Sequence, residues 1–337
     1  MSDELGKIAT KTTMFKEILE EPSTISASFQ SSINNIHSAV KTIKESKIVY
    51  IAGSGTSFHL GLITQLHLLR CGIAAVTIRA PEFSHFIPDK VENACAILIS
   101  QSGQSSDILN CLDICKKNSM RTICITNSRD SKLADNVDIP LLTDAGIERS
   151  VAATKSFVSG LVPAYILLSQ LKSFDGNSDL EMVSDEIGKV LELWPKLEEI
   201  AKTIRSKIVF LGDGYLHAMA MEAALKFRET SNLITEAYPV REYLHGPIQT
   251  LDNDTSVFIM HNTKDSALVD VESKLRNYTD SIIKVGTSDG DSFRLKAIKE
   301  ELSPFVFSPV IQTLANFTSV NLGLDPDRPS HLTKVVS

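Results

Sequence analysis

Two serine-rich turns are the first residues of this chain with a chemistry to offer. One reads GSGTS over residues 53–57 and holds Gly55, Thr56 and Ser57. The other reads SQSGQSSD over residues 100–107 and holds Ser100, Gln101, Ser102, Gly103 and Ser105. Each follows a short apolar run and opens a helical pattern. At such a place unpaired backbone N–H groups and the positive end of the helix dipole favour an anion, so a phosphate fits without any arginine. The hydroxyls of Ser57, Ser100, Ser102 and Ser105, with the Gln101 side chain, would complete the cradle, and Gly55 and Gly103 would permit close approach. Serine and threonine also cap most helix starts. Two such turns on neighbouring strands, with four hydroxyls between them, favour the phosphate reading.

Acid–base groups cluster later. In MEAALKFRE, Glu222, Lys226 and Glu229 fall at i, i+4 and i+7 and project from one helix face. Alone, this is a surface ladder that helps a helix slightly. The segment EAYPVREYLHGP follows as a loop carrying Glu236, Glu242 and His245. His245 before Gly-Pro fits a turn, and it is also the side-chain type whose ordinary pKa suits proton transfer near neutrality. The chain ends LDPDRPSHLTKVVS. Termini commonly fray, yet Leu332, Val335 and Val336 would let this one dock and bring Lys334 to a carbonyl.

The elements that must position these groups recur. KIVYIA, AAVTIRA, ACAILIS, RTICITN and VDIPLL read as strands, with helices at Ser57–Leu69, Ser106–Lys117 and about Val151–Leu171. Leu180–Ile204 reads as a linker helix bent at Pro195. KIVFLGDG then restarts the series, followed by a helix at Tyr215–Ser231, the strand SVFIMH, a helical stretch near Ser266–Thr279, SIIKVG, and a last helix near Pro309–Leu322. Strands alternating with helices call for parallel sheets, and the repeated order indicates an internal duplication. The second copy has Asp213 and Tyr215 at the matching turn. An acidic residue there repels an anion, so only the first copy keeps the anion pocket.

Length and composition bound the answer. The 337 residues suit two domains of about 150 residues each. Hydrophobic residues at 43%, charged residues at 22% and a formal charge of −7 argue against a nucleic-acid surface, and there is no basic run or C-x-x-C array. Five cysteines (Cys71, Cys95, Cys111, Cys115, Cys124) all lie in the first half. Their odd number fits buried thiols in a reducing compartment. Cys111 and Cys115 sit one helical turn apart without a companion histidine, so core packing outweighs metal binding. The start MSDELGKIAT lacks an apolar signal region, and the longest greasy stretch, Phe157–Leu171, is interrupted by Ser159, Pro163 and Ser169. A cytoplasmic protein without membrane or nucleic-acid partners is expected.

These motifs together resemble the double sugar-isomerase (SIS) domain family, in particular the isomerase half of glucosamine-6-phosphate synthase and the stand-alone sugar-phosphate deaminases. The resemblance rests on FKEILEEPSTI, GSGTS, SQSGQSSD, DAGIERSVAATKSF, EAALKFRE, EAYPVREYLHGP and DPDRPSHLTKVV, in that order along nearly the whole chain. It implies an α/β fold of two duplicated SIS domains, each a parallel five-stranded sheet with helices on both faces, flavodoxin-like. The division expected is an arm at 1–30, SIS domain 1 at 31–175, the linker helix at 176–204, SIS domain 2 at 205–322 and a catalytic tail at 323–337. Phosphate binding falls to Ser57, Ser100, Gln101, Ser102 and Ser105, with backbone help near Gly55 and Val151. Glu229 matches the base that moves a proton between C1 and C2, His245 the ring-opening histidine and Lys334 the imine-forming tail lysine. Glu222 and Lys226 match the active-site helix. The resemblance further implies no metal or other cofactor, and a homodimer whose His245 loop reaches the neighbouring subunit's site. No glutaminase domain is expected from the length, and the tail favours a deaminase converting glucosamine 6-phosphate and water to fructose 6-phosphate and ammonia. The alternatives are an ammonia-dependent synthase half with a separate glutaminase, a sugar-phosphate deglycase, and a non-catalytic sugar-phosphate sensor.

Overall fold

Strands rich in Ile, Val and Phe with almost no exposed position belong in parallel sheets covered on both faces. The structure, a computed structural model, describes residues 2–88, 92–263 and 266–334. It comprises two compact units, each built around one sheet of five parallel strands. The first-sheet unit contains Glu20–Glu148, Lys155–Asp185 and tail residues 333 and 334. The second-sheet unit contains residues 2–19, Arg149–Thr154 and Glu186–Leu332.

Helices α1 (Ser2–Ala9), α2 (Thr13–Leu19) and α3 (Glu21–Glu45) precede the first sheet. There follow β1 (Ile48–Gly53), α4 (Thr56–Leu69), β2 (Ala75–Arg79), α5 (Phe83–Phe86), β3 (Ala94–Ile99), α6 (Ser106–Lys117), β4 (Arg121–Thr126), α7 (Lys132–Asn136), β5 (Ile139–Leu142) and α8 (Lys155–Lys172). The strand order is β2-β1-β3-β4-β5. The chain leaves β1 for β2 on one side and returns to β3 on the other, so the topological switch lies between β1 and β3. Crevices at the carboxyl ends of such strands are where open α/β sheets bind ligands. One sheet face packs Tyr50, Ala96, Leu98 and Cys124 against Ile108, Cys111 and Cys115. Burial pushes the Cys111, Cys115 and Cys124 thiols up to about 12, as suits core packing. The greasy stretch becomes α8, buried from Lys155 through Ser169.

The remaining elements are α9 (Asn177–Glu192), α10 (Trp194–Ala201), β6 (Lys207–Leu211), α11 (Tyr215–Ser231), β7 (Ile234–Tyr238), β8 (Thr255–His261), α12 (Ser266–Leu275), β9 (Ile282–Gly286), β10 (Phe293–Arg294) and α13 (Ser303–Asn321). The second sheet runs β10-β9-β8-β6-β7, the same winding as the first, with its switch between β6 and β8. Phe210, Phe227 and Phe258 cluster on one face, with the Phe210 and Phe258 rings stacked at 4.9 Å. Val209, Leu211, Val257 and Ile259 pack on the other against Val271 and Leu275.

Three elements differ from the expectation. The linker is two helices broken at Leu193, because Pro195 has no N–H to give and is tolerated in the first turn of a new helix. The last helix begins at Ser303, with Pro304 in its first turn and Pro309 inside. The segment read as a loop from Glu236 begins inside β7, an edge strand whose exposed Ile234 and Glu236 alternate with buried Thr235. No helix among the described residues is long and apolar enough to cross a membrane.

Candidate active site

At the first switch point both serine turns sit at carboxyl ends of adjacent strands, one after β1 and one after β3. Gly55 caps α4 with φ 53°, a conformation open to glycine, and provides no side chain to the cap. The Ser57 and Phe58 N–H groups already donate to Ser54 O and Gly55 O, both at 3.0 Å. Fewer main-chain donors are therefore available than the sequence suggested, and the hydroxyls gain weight. Ser105 occupies the N-cap position of α6 but makes no capping hydrogen bond. The Ser100 hydroxyl accepts from Gly103 N at 3.1 Å, and that of Ser102 accepts from Gln104 N at 3.3 Å. A hydroxyl that accepts keeps its own proton to donate. Helix capping thus does not account for these serines.

The second turn is bolted to its surroundings. Gln101 O accepts from Asn127 N at 3.1 Å, and Gly103 O accepts from Leu133 N at 3.1 Å. Gly103 has φ 60°, and a β-carbon there would lie 2.6 Å from Ser131 Cβ. Arg79, which the sequence reading missed, ends β2 beside Gly53 and lays its guanidinium 4.2 Å from the Phe58 ring centre. This cation–π contact holds a positive charge beside the first turn of α4. The signal was faint: a single arginine closing an edge strand.

The tail reaches the same unit. Lys334 Nζ lies 2.5 Å from Glu148 Oε2, whose side chain is fully buried. Glu148 also accepts from Ser156 N at 3.0 Å and Ser156 Oγ at 2.7 Å. Burial alone would raise its pKa, but the Lys334 charge and the Ser156 hydrogen bonds outweigh that and hold it below the ordinary value. Glu148 was also missed as a residue, although the motif DAGIERSVAATKSF contains it.

In the second-sheet unit, α11 carries Glu222, Lys226 and Glu229. Lys226 Nζ is 3.5 Å from Glu222 Oε1 and 2.5 Å from Glu229 Oε2. Glu222 and Lys226 are 1% exposed and Glu229 is 21% exposed, so this is no surface ladder. One buried ammonium is shared by two carboxylates, and Glu229 is the member with access to solvent. His245 closes a 3₁₀ turn, Glu242–His245, and is exposed, while its neighbour Tyr243 is buried as the anchor. Val151 also falls in this unit, in a segment fixed by the Glu17 carboxylate, which accepts from Ser150 N and Ser150 Oγ.

The matching switch of the second sheet has a similar backbone with an acidic group beside it. Gly214 caps α11 with φ 57° and ψ −122°, close to the φ 53° and ψ −126° of Gly55. A β-carbon on Gly214 would lie 3.2 Å from Glu300 Oε1. A carboxylate of the protein itself stands at the helix entrance, beside Asp213.

The two sheets with the same winding, with hydroxyl-lined turns at one switch point, define a duplicated, doubly wound α/β class. The SIS domain model matches residues 42–169 and 203–283, and the chain belongs to the SIS domain family. It is 32% identical over 335 residues to the glutamine–fructose-6-phosphate aminotransferase (isomerizing) of Sulfurisphaera tokodaii, covering 96% of this chain and 56% of that protein. The chain thus spans about half the length of that curated relative. Among solved structures, glucosamine-6-phosphate deaminase of Thermotoga maritima is similar with a TM-score of 0.82 at 26% identity, covering 96% of this chain and 99% of that one. The C-terminal domain of the Francisella tularensis glucosamine-fructose-6-phosphate aminotransferase gives a TM-score of 0.82 at 25% identity, covering 95% and 98%.

Proposed function

We propose that this chain interconverts fructose 6-phosphate plus ammonia with glucosamine 6-phosphate plus water. The observation that carries the reading is the set of serine hydroxyls at the first switch point with donors left for a phosphate. In the synthetic direction ammonia adds to the C2 carbonyl of the open ketose and water leaves as the imine forms. Glu229 takes a proton from C1 and returns it to C2, giving the aldose, with one carboxylate serving as base and then acid. His245 assists ring opening and closure, Lys334 engages the open-chain carbonyl, and Glu222 and Lys226 hold Glu229. The phosphate grip turns the remaining steps into intramolecular ones, the larger share of the rate gain. Val151 supplies a backbone N–H to the phosphate.

The aminotransferase relatives favour synthesis over the deaminase reading placed first on sequence grounds. Deamination is the second reading, favoured by the solved deaminase matched along almost its whole length. Assays in both directions, with ammonium and with glutamine, separate them. Synthesis predicts ammonium-dependent formation of glucosamine 6-phosphate. Net ammonia release at physiological concentrations selects deamination, release of an amino acid from a sugar-phosphate adduct selects a deglycase, and binding without turnover selects a sensor. Glu229→Gln is expected to lower kcat by about 10³-fold while sugar-phosphate binding persists. Full activity in that variant removes the base assignment.

His245 is proposed to serve the site of a second copy in a homodimer, supported by its exposure on its own unit. Mixing inactive His245→Ala with inactive Glu229→Gln then recovers about a quarter of wild-type activity, since half the dimers are mixed and each has one intact site. A histidine acting within its own subunit recovers none.

A further inference from the structure

Glu17, on α2, takes no part in the reaction proposed above, yet it is only 4% exposed and both of its carboxylate oxygens are engaged. Oε1 accepts from Arg149 N at 2.5 Å, and Oε2 accepts from Ser150 N at 3.2 Å and Ser150 Oγ at 2.7 Å. All of these residues lie in the second-sheet unit. Residues 149–154 form neither helix nor strand, so their main-chain groups have no ladder to join and need other partners. An acceptor with two oxygens, set on a neighbouring helix, meets that need.

The Ser150 hydroxyl carries the hold one residue further. It also lies 2.9 Å from Ala152 O, so its single proton is shared between the Glu17 carboxylate and the carbonyl beyond Val151. Val151 is thereby braced through both neighbours. Its own N–H, in a half-buried residue, donates to no group among the described residues. A donor fixed in place and left open is preorganised for an anion. The mount is stiff as well: Asp327 accepts from Thr13 N and Met14 N at the start of α2, and Phe15 packs against Trp194 and Phe317.

We propose that Glu17 is a positioning residue for sugar-phosphate binding, which holds Arg149 and Ser150 so that the Val151 N–H stands ready for the phosphate. This role rests on the phosphate contact proposed for Val151 and names the residue that places it. Glu17 itself touches no substrate.

Glu17→Gln keeps the shape of the side chain but turns one acceptor into an NH₂ group, which faces donors at either position. Binding of fructose 6-phosphate and of inorganic phosphate to the full chain is measured by calorimetry, alongside steady-state kinetics and melting temperature. Glu17→Gln is expected to weaken both ligands about tenfold and to raise KM for fructose 6-phosphate by the same factor, with kcat within about threefold of wild type. Gly72→Ala, which strains a turn at φ 75° with nothing within 4 Å, should lower the melting temperature without moving either affinity, so destabilisation alone does not mimic the effect. Ser150→Ala leaves the carboxylate on both N–H groups and should weaken phosphate binding less. Adding it to Glu17→Gln should cost little more, since both act through one path. Wild-type protein that binds neither ligand overturns the phosphate reading and this role with it. Wild-type binding with unchanged affinities in Glu17→Gln, or a loss of kcat with KM unmoved, overturns the role of Glu17 alone. If Glu17→Gln does not fold, Ser150→Ala decides, and unaltered phosphate affinity there overturns the proposal.

Discussion

Lys334 pairs with the buried Glu148 carboxylate at 2.5 Å, while Val335 and Val336, expected to anchor the tail, lie outside the described residues. Glu148 is ionised in the folded state with its pKa below the ordinary 4.5. For a depressed carboxylate the stabilisation is complete above the unfolded value and is lost as pH falls through the folded one. Tail docking is therefore expected to persist at pH 5 and to fail only below about pH 4.5, which limited proteolysis at residues 328–334 can follow. Glu148→Gln should release the tail at every pH, with a loss of about 1–3 kcal/mol from a charge-assisted hydrogen bond. A tail equally protected in Glu148→Gln would show that Lys334 is held by other contacts. At this scale the sequence was read unevenly. Ser100 and Ser102 announced themselves by type and spacing, whereas Glu148 and Arg79 lacked any local pattern, since their partners Lys334 and Phe58 are contacts of the folded chain.

Elements with a strong period were legible and those at edges were not. Helix α11 matches the range expected from its pattern, Tyr215–Ser231, because its apolar face and glycine cap agree. The central strands show as unbroken Ile, Val and Phe runs because both faces are covered. Strand β7 was lost because an edge strand keeps charged residues on its open side, and Glu236 disguises it as a loop. Pro309 misled the reading because proline favours helix starts, yet here Pro304 fills that place. The turn that links β3 to α6 depends on Gly103. Gly103→Ala is expected to cost more than the backbone penalty alone, since its β-carbon meets the Ser131 side chain that caps α7. Gly72→Ala is the control: its φ is 75° and nothing lies within 4 Å. Denaturant midpoints should give about 1 kcal/mol for Gly72→Ala and at least about 1 kcal/mol more for Gly103→Ala. Equal costs would mean that Ser131 moves freely and the turn is not braced by α7.

Over the whole molecule, the chain's first helices belong to a sheet that begins two hundred residues later. Phe15 of α2 meets Trp194 at 6.1 Å and Phe317 at 5.6 Å, and the Trp194 and Phe317 rings stack at 5.7 Å. Asp327 closes the same region, accepting from Thr13 N at 2.6 Å and Met14 N at 2.7 Å. Such contacts leave no local trace, which is why residues 2–19 carried no expected element despite forming α1 and α2. Phe15→Ala removes the centre of this cluster and is expected to cost about 3–5 kcal/mol, whereas Asp327→Ala removes an N-terminal cap worth about 1 kcal/mol. Asp327 binds the backbone N–H of Met14, next to Phe15, so the two sites are coupled and the double variant should depart from additivity by about 0.5 kcal/mol or more. Hydrogen exchange locates the effect: amides of α10 and α13 should lose protection in Phe15→Ala while those of β1, β3 and β4 keep theirs. Equal loss in the first sheet would show that the aromatic cluster stabilises the molecule globally rather than the second-sheet unit to which its three rings belong.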